Sequence, residues 1–499
     1  MRMKLRNLIA LMLCMIMLSG CTPQAVPSLP SVTMLPIAAG PEAPLGDAGL
    51  QYEAIVPLYL PSQDGQSLLT FYETLLLPRD RHPAESILRA LLAHPGNSRV
   101  RALGGQVSLS LAGANPVEMS GGVCTVNLSA SALMLSKQDL YTVALAITAT
   151  LCELEDIHHV NMLIAGSPIG MDISNHLPLG TLTPQLGQEL PVLWEQMLSR
   201  RTPVGERAAD TPLTATATLY FPLKDGSGIV AEPRRISFAG QHPQQLVTAL
   251  LEALSSGADV LSGVADMPNL SALQLFAPEI TDLESGGRRV TIHLTTDALN
   301  RISAAGCDPA CLFAAITTTL TTFVPSLQQV CILTGTNALT SLYSHQLGSM
   351  LFAGAVQTRQ SFTHALMDTA VVYIPDGNTL TTQTLALPYR SATSPRALLL
   401  YMASPTVGAL PASLTDADLL GLAIEDGTLL VHFSARYAQA IRESNMNQRL
   451  MAYSMVNTLC QTLGVRRVRF YFGGETIDTL DDQLLWSGEF YYHPSLLTQ

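Results

Sequence analysis

The chain has 499 residues, 47% hydrophobic and only 13% charged, with a formal net charge of −12 and a mean hydropathy of +0.27. Intrinsic disorder is excluded, because it goes with low hydrophobicity and high charge. So is a polytopic membrane protein: beyond residue 20 the best apolar run, Leu140 to Cys152, falls short of the roughly 18 residues that a spanning helix needs.

Arg2, Lys4 and Arg6 precede an apolar run from Leu8 to Leu18, which ends in Leu18-Ser19-Gly20-Cys21. A basic start, a short apolar stretch and a small-residue cleavage site make a secretory signal over residues 1–20. The cysteine directly after Leu-Ser-Gly resembles a bacterial lipobox, which implies Cys21 as the lipid attachment point and the cell membrane as a partner. Cleavage removes three positive charges and takes the formal net charge from −12 to −15, which argues against nucleic acid as a partner. Residues 21–54 are rich in proline and alanine and read as a tether.

Three copies of one pattern follow. Tyr59-Leu60-Pro61 with Asp64-Gly65 recurs as Tyr220-Phe221-Pro222 with Asp225-Gly226 and as Tyr373-Ile374-Pro375-Asp376-Gly377, so the anchors lie 161 and 153 residues apart. Each anchor reads as a strand that closes in a turn, where glycine accepts a positive φ. After a second strand, Pro83, Pro243 and Pro395 open leucine-rich helices, proline being well tolerated where its missing N–H would have no partner. Glycine turns then lead into alternating strands through Cys124, Val126 and Leu128, through Val290, Ile292 and Leu294, and through Leu429, Val431 and Phe433. A second helix carries Ile147, Leu151 and Leu154 in the first copy, Ile316, Leu320 and Phe323 in the second, and Met455, Leu459 and Leu463 in the third; this spacing predicts a single apolar stripe. A last strand ends each copy at Gly166, Gly335 and Gly473.

The pattern predicts an α+β chain of three tandem two-layer α/β units, each a mixed sheet with two helices on one face. The units are placed at 55–184, 214–351 and 368–499, with linkers at 185–213 and 352–367.

These anchors resemble the GerMN domain of bacterial sporulation and germination lipoproteins. The resemblance rests on the Tyr-x-Pro and Asp-Gly opening, on the small polar residue after the alternating strand (Ser129, Thr295, Ser434), and on the Thr-Leu helix ends (Thr150-Leu151, Thr319-Leu320, Thr458-Leu459). It implies a fold similar to the ring-building modules of secretion machines. It also implies a non-enzymatic extracytoplasmic scaffold with envelope or sporulation-complex proteins as partners, and self-association. Three copies, rather than the two of the best-known member, depart from the family pattern.

No metal-protease, nucleophile-elbow, phosphate-loop or dinucleotide motif is present, and no cofactor or metal is expected. Glu153, Glu155 and Asp156 beside His158-His159 read as a solvated turn. Cys307 and Cys311 are a local disulfide, half a metal site, or two buried hydrophobes. His293 and His432 point away from the apolar strand face and are either exposed, the favoured reading, or available to an interface. Arg466, Arg467 and Arg469 are a solvated face or a candidate interface for an acidic partner. Asp481-Asp482 is a weak cation signal. A cell-wall glycan-binding module is the alternative reading, weakened because it needs exposed aromatics and the chain has only Trp194 and Trp486.

Overall fold

Unit 1 starts with strands β1 (Gln51–Pro61) and β2 (Leu68–Pro78), which pair in register over eleven residues as an antiparallel hairpin. Helix α1 (Ala84–Ala93) buries Ala84, Ile87, Leu88 and Leu91, the spacing that aligns one helical face. Next come β3 (Val117–Ser120) and β4 (Val123–Leu128), helix α2 (Lys137–Leu151) and β5 (His159–Ile164). β4 pairs antiparallel with β3 and parallel with β5 across the α2 crossover. The described residues, in this computed structural model, are 42–47, 51–78, 81–201, 210–261, 263–284, 286–388, 391, 394–480 and 484–497. Cys21 and the signal lie outside them, as does Asp481-Asp482.

Helix α3 (Leu190–Ser199) connects to unit 2, which repeats the order. It has hairpin β6 (Leu213–Pro222) and β7 (Ile229–Phe238), helix α4 (Pro243–Ser255), and strands β8 (Glu279–Asp282) and β9 (Arg288–Leu294). Helices α5 (Ala298–Ala304) and α6 (Pro309–Phe323) and strand β10 (Leu327–Thr334) complete it. A short strand β11 (Val356–Gln357) then pairs antiparallel with β10. Unit 3 has hairpin β12 (Met367–Asp376) and β13 (Thr379–Pro388), helix α7 (Pro395–Met402), and strands β14 (Leu419–Glu425) and β15 (Thr428–Phe433). Helices α8 (Ala435–Glu443) and α9 (Gln448–Leu463) and strands β16 (Arg467–Phe472) and β17 (Phe490–Tyr491) follow.

The chain is thus α+β with repeated units, and the strands of each unit are divided between a long hairpin and a separate mixed sheet. The second helix departs from the expected single stripe. Every residue of α6 from Ala310 to Phe323 is buried, as is α2 from Leu140 to Leu151, where the helix ends short of Leu154. A helix buried all round is enclosed rather than laid on a surface; α6 touches its own hairpin strand β6 on one side and β10 on another. Two of its threonines return their hydroxyls to the helix: Thr321 and Thr322 donate to the carbonyls of Thr317 and Thr318, each at 2.6 Å, while Thr317 donates to Gln357 and Thr319 accepts from Tyr220.

One continuous hydrophobic core runs through units 1 and 2, from Val56 to Leu366. Unit 3 has its own core, from Ala370 to Phe490, where Trp486 is wholly buried among Phe470, Phe472 and Phe490. Between them lies a small apolar patch of Leu223, Val230 and Met367.

Candidate interaction surfaces

A single contact recurs in all three units and explains why the same anchors recur in sequence. The backbone N–H of Tyr59 donates to Thr150 Oγ1, that of Tyr220 to Thr319 Oγ1, and that of Tyr373 to Thr458 Oγ1, each at 3.0 Å. A two-stranded hairpin leaves outward N–H groups without a strand partner, and burying one unpaired costs about 1–3 kcal/mol. The threonine of the Thr-Leu pair meets this need, so the hairpin and the enclosed helix are held in one register.

Unit 2 docks its hairpin on the outer face of unit 1's sheet through buried polar groups. Asn161 Nδ2 donates to Thr218 Oγ1 at 3.0 Å, Thr181 Oγ1 donates to Asn161 Oδ1 at 2.8 Å, and Thr181 N donates to Thr216 O at 2.8 Å. Arg359, in the segment read as a linker, is buried here: its Nε donates to Glu118 Oε2 at 2.7 Å, and its other nitrogens reach Tyr220 and Thr322. Burial works against the Arg359 charge, but Glu118 and Tyr220 outweigh it, so the guanidinium is held charged more firmly than usual.

Ser120 ties all three units together. Its hydroxyl donates to Met367 O at 2.6 Å and accepts from Ala231 N at 3.0 Å. Beside it Gly121, at φ +55°, brings the chain so close that a Cβ would lie 2.2 Å from Ala231 O. Asp368 enters the same junction and, buried, has its carboxyl pushed up to about 6. Next to it His82 Nε2 lies 2.7 Å from Asp156 Oδ2, lining a cleft of about 650 Å³ between units 1 and 3. Burial alone would raise the Asp156 pKa, and the His82 contact brings it below the usual carboxylate value. The acidic turn at 153–159 is exposed at Glu153, Glu155, Asp156 and His158, as expected, and it also lines this cleft.

The remaining sequence candidates are scattered. Arg467 bonds Thr428 Oγ1 at 2.6 Å and Glu489 Oε2 at 3.2 Å, and Arg469 lies 3.5 Å from Glu489 Oε1, so one carboxylate serves both; Arg466 is exposed. His432 is not exposed but 2% accessible, because Pro44 lies over it and its carbonyl is 2.9 Å from His432 Nδ1. His293 is half-buried against Phe276. Cys307 and Cys311 are free, buried thiols; burial pushes Cys307 up to about 12 and Cys311 further. Trp194 is half-buried against Tyr141. Among the described residues no group of three or more His, Cys, Asp or Glu side chains is placed to hold a metal, and no helix is long and apolar enough to cross a membrane. Arg359 and Glu118 were missed by sequence reasoning; the one available signal was a lone arginine close to Phe352 and Phe362 in a sparsely charged chain.

Some buried polar groups hold each unit together and others join one unit to the next, which defines a modular α+β protein. Residues 57–170 and 371–478, less than half of the chain, match the Germane family model, described as sporulation and spore germination. Two separate segments are thus similar to that family, and they correspond to two of the chain's three repeated units. Unit 2 lies outside both matched segments yet keeps their order of elements. The tandem GerMN domains of the sporulation protein GerM from Bacillus subtilis are similar at 19% identity, over 57% of this chain and 91% of that one, with a TM-score of 0.21. The first GerMN domain of the same protein is similar at 20% identity, over 27% and 96%, with a TM-score of 0.19. No curated protein sequence matches the chain.

Proposed function

We propose that this protein is an extracytoplasmic lipoprotein, attached to the membrane through Cys21, that acts as a non-enzymatic scaffold for envelope proteins in sporulation or germination. The observation that carries this reading is the match of two separate segments to a sporulation and germination family, joined to a lipobox at the start of the same chain. The buried polar groups of Asn161, Thr181, Thr218, Glu118, Arg359 and Ser120 support it, since they are spent on joints between units. Partners are envelope proteins and further copies of this chain; two acyl chains on Cys21 give stable attachment where one would be marginal.

Deleting the gene tests the process: sporulation or germination should fall, and affinity capture of the lipidated protein should bring envelope proteins with it. A deletion strain that sporulates and germinates normally, with protein that instead sediments with purified peptidoglycan, would favour the glycan-binding alternative. Cys21→Ala should release the protein from membranes, and retention would rule out lipid attachment at that residue.

A further inference from the structure

The joint between units 1 and 2 has two halves, and each half has a free counterpart elsewhere in the chain. One half is the face of hairpin 2 that carries Thr216, Thr218, Tyr220, Ala231 and Pro233. Residues 161 positions earlier occupy the same places in hairpin 1, because Tyr59 pairs with Thr70 as Tyr220 pairs with Ala231. There Tyr59 is buried, but the rest of the face is largely exposed, with large apolar side chains beside Glu53, Thr70 and Thr74. Ile55 stands for Thr216 and is 71% exposed, Tyr72 stands for Pro233 and is 67% exposed, and Leu76 on the same face is 63% exposed.

The other half is the outer face of sheet 1, with Thr125, Asn161 and Thr181. Its counterpart in unit 2 carries Thr291, Cys331, Leu333 and Val356. Cys331 pairs with Thr291 as Asn161 does with Thr125, and Val356 flanks Cys331 as Thr181 flanks Asn161. This face is half-buried only, and Phe276 at its rim is 65% exposed. Hairpin 3 does not cover it: β12 packs on β3 and β7 instead.

The free hairpin face groups Ile55, Pro57, Tyr72 and Leu76 beside Glu53, Thr70 and Thr74, and the free sheet face groups Cys331, Leu333 and Val356 beside Arg289, Thr291 and Gln329. Large exposed apolar side chains grouped on one face mark an interaction site. We propose that the joint is used again between chains: the hairpin face of unit 1 in one copy docks on the outer sheet face of unit 2 in a second copy. Such a contact joins different surfaces of identical chains, so a pair keeps one free half of each kind, the sheet face on one copy and the hairpin face on the other.

This interface deepens the assembly reading above and rests on it only for self-association in general. Its geometry makes one specific demand. Thr181 N lies 2.8 Å from Thr216 O inside the chain, so residues 55 and 356 should be neighbours between chains. Full-length protein in detergent micelles, with Cys331→Ser throughout, is prepared once with Ile55→Cys and once with Val356→Cys, then mixed and mildly oxidised. The expected product is a disulfide between positions 55 and 356 of different chains, identified by peptide mass. Tyr72→Asp, at an exposed position that leaves folding intact, should weaken self-association measured by sedimentation by roughly tenfold. Absence of the 55–356 linkage overturns the interface, as does linkage that Tyr72→Asp leaves unchanged. Either failure, beside a sporulation defect in the deletion strain, would reject this interface while leaving the scaffold reading intact.

Discussion

Units 1 and 2 are joined through a shared core, a threonine and asparagine network and the buried Arg359–Glu118 pair, whereas unit 3 has a separate core and meets the others through Ser120, Asp368 and a small apolar patch. The same module thus supports two kinds of joint. In the first, the polar groups fix which strand lies opposite which, since a slipped register would leave them buried and unpaired. In the second, contact is thin, and domains joined by small interfaces are expected to move and unfold separately.

The largest effect expected from breaking this contrast is that of Arg359→Ala. Leaving Glu118 buried without its partner should destabilise the body of units 1 and 2 by about 3–5 kcal/mol, and denaturant unfolding should show the transition of unit 3 unmoved. Next comes Asp368. Its folded carboxyl, near 6, lies above the ordinary 3.8, so it holds its proton more tightly when folded. Its contribution is full below pH 4 and lost as the pH rises through 6, on the order of 2–3 kcal/mol. Thermal unfolding at pH 4.5 and 7 should show this difference for the native chain, with a smaller difference for Asp368→Asn.

A threefold comparison sharpens the contrast. Thr150→Val, Thr319→Val and Thr458→Val each strand the same buried N–H and should each cost about 1–3 kcal/mol. The third should shift only the transition of unit 3, while the first two act together on the shared body. If all three move one common transition, the two kinds of joint are energetically the same. Asp47→Ala should have the smallest effect. It removes one of two carboxylates on Arg396, a partly exposed pair worth about 0.2–1 kcal/mol, and should mainly speed proteolysis around residues 44–47.

Much of this architecture was legible because each unit repeats its own punctuation. The Tyr-x-Pro strand, the proline-opened helix and the Thr-Leu helix end mark elements whose spacing is local, and their order survives in unit 2. What they do for one another was not legible: Tyr59 and Thr150 are 91 positions apart, and nothing local says that one donates to the other. Arg359 and Glu118 are 241 positions apart and came from a segment read as a linker. The enclosure of α6 was not legible from the single stripe of Ile316, Leu320 and Phe323; its threonines are buried too, with Thr321 and Thr322 bonding back to the helix and Thr319 bonding the hairpin. At His432 the alternation placed the residue on the correct face of the strand; its cover by Pro44 comes from a segment 388 positions away.

That segment has a mechanical meaning. Gly46 donates to Leu420 O at 2.9 Å and accepts from Leu422 N at 2.8 Å, lying alongside β14 of the last unit before the chain enters the first. A pull applied from the N-terminal side therefore loads unit 3 first and reaches the hairpin of unit 1 only after these two bonds and the Asp47–Arg396 contact have given way. The first strand of the molecule is shielded from tension by the last domain, and the clasp at residue 46 acts as a strain relief between the end of the chain and its folded body.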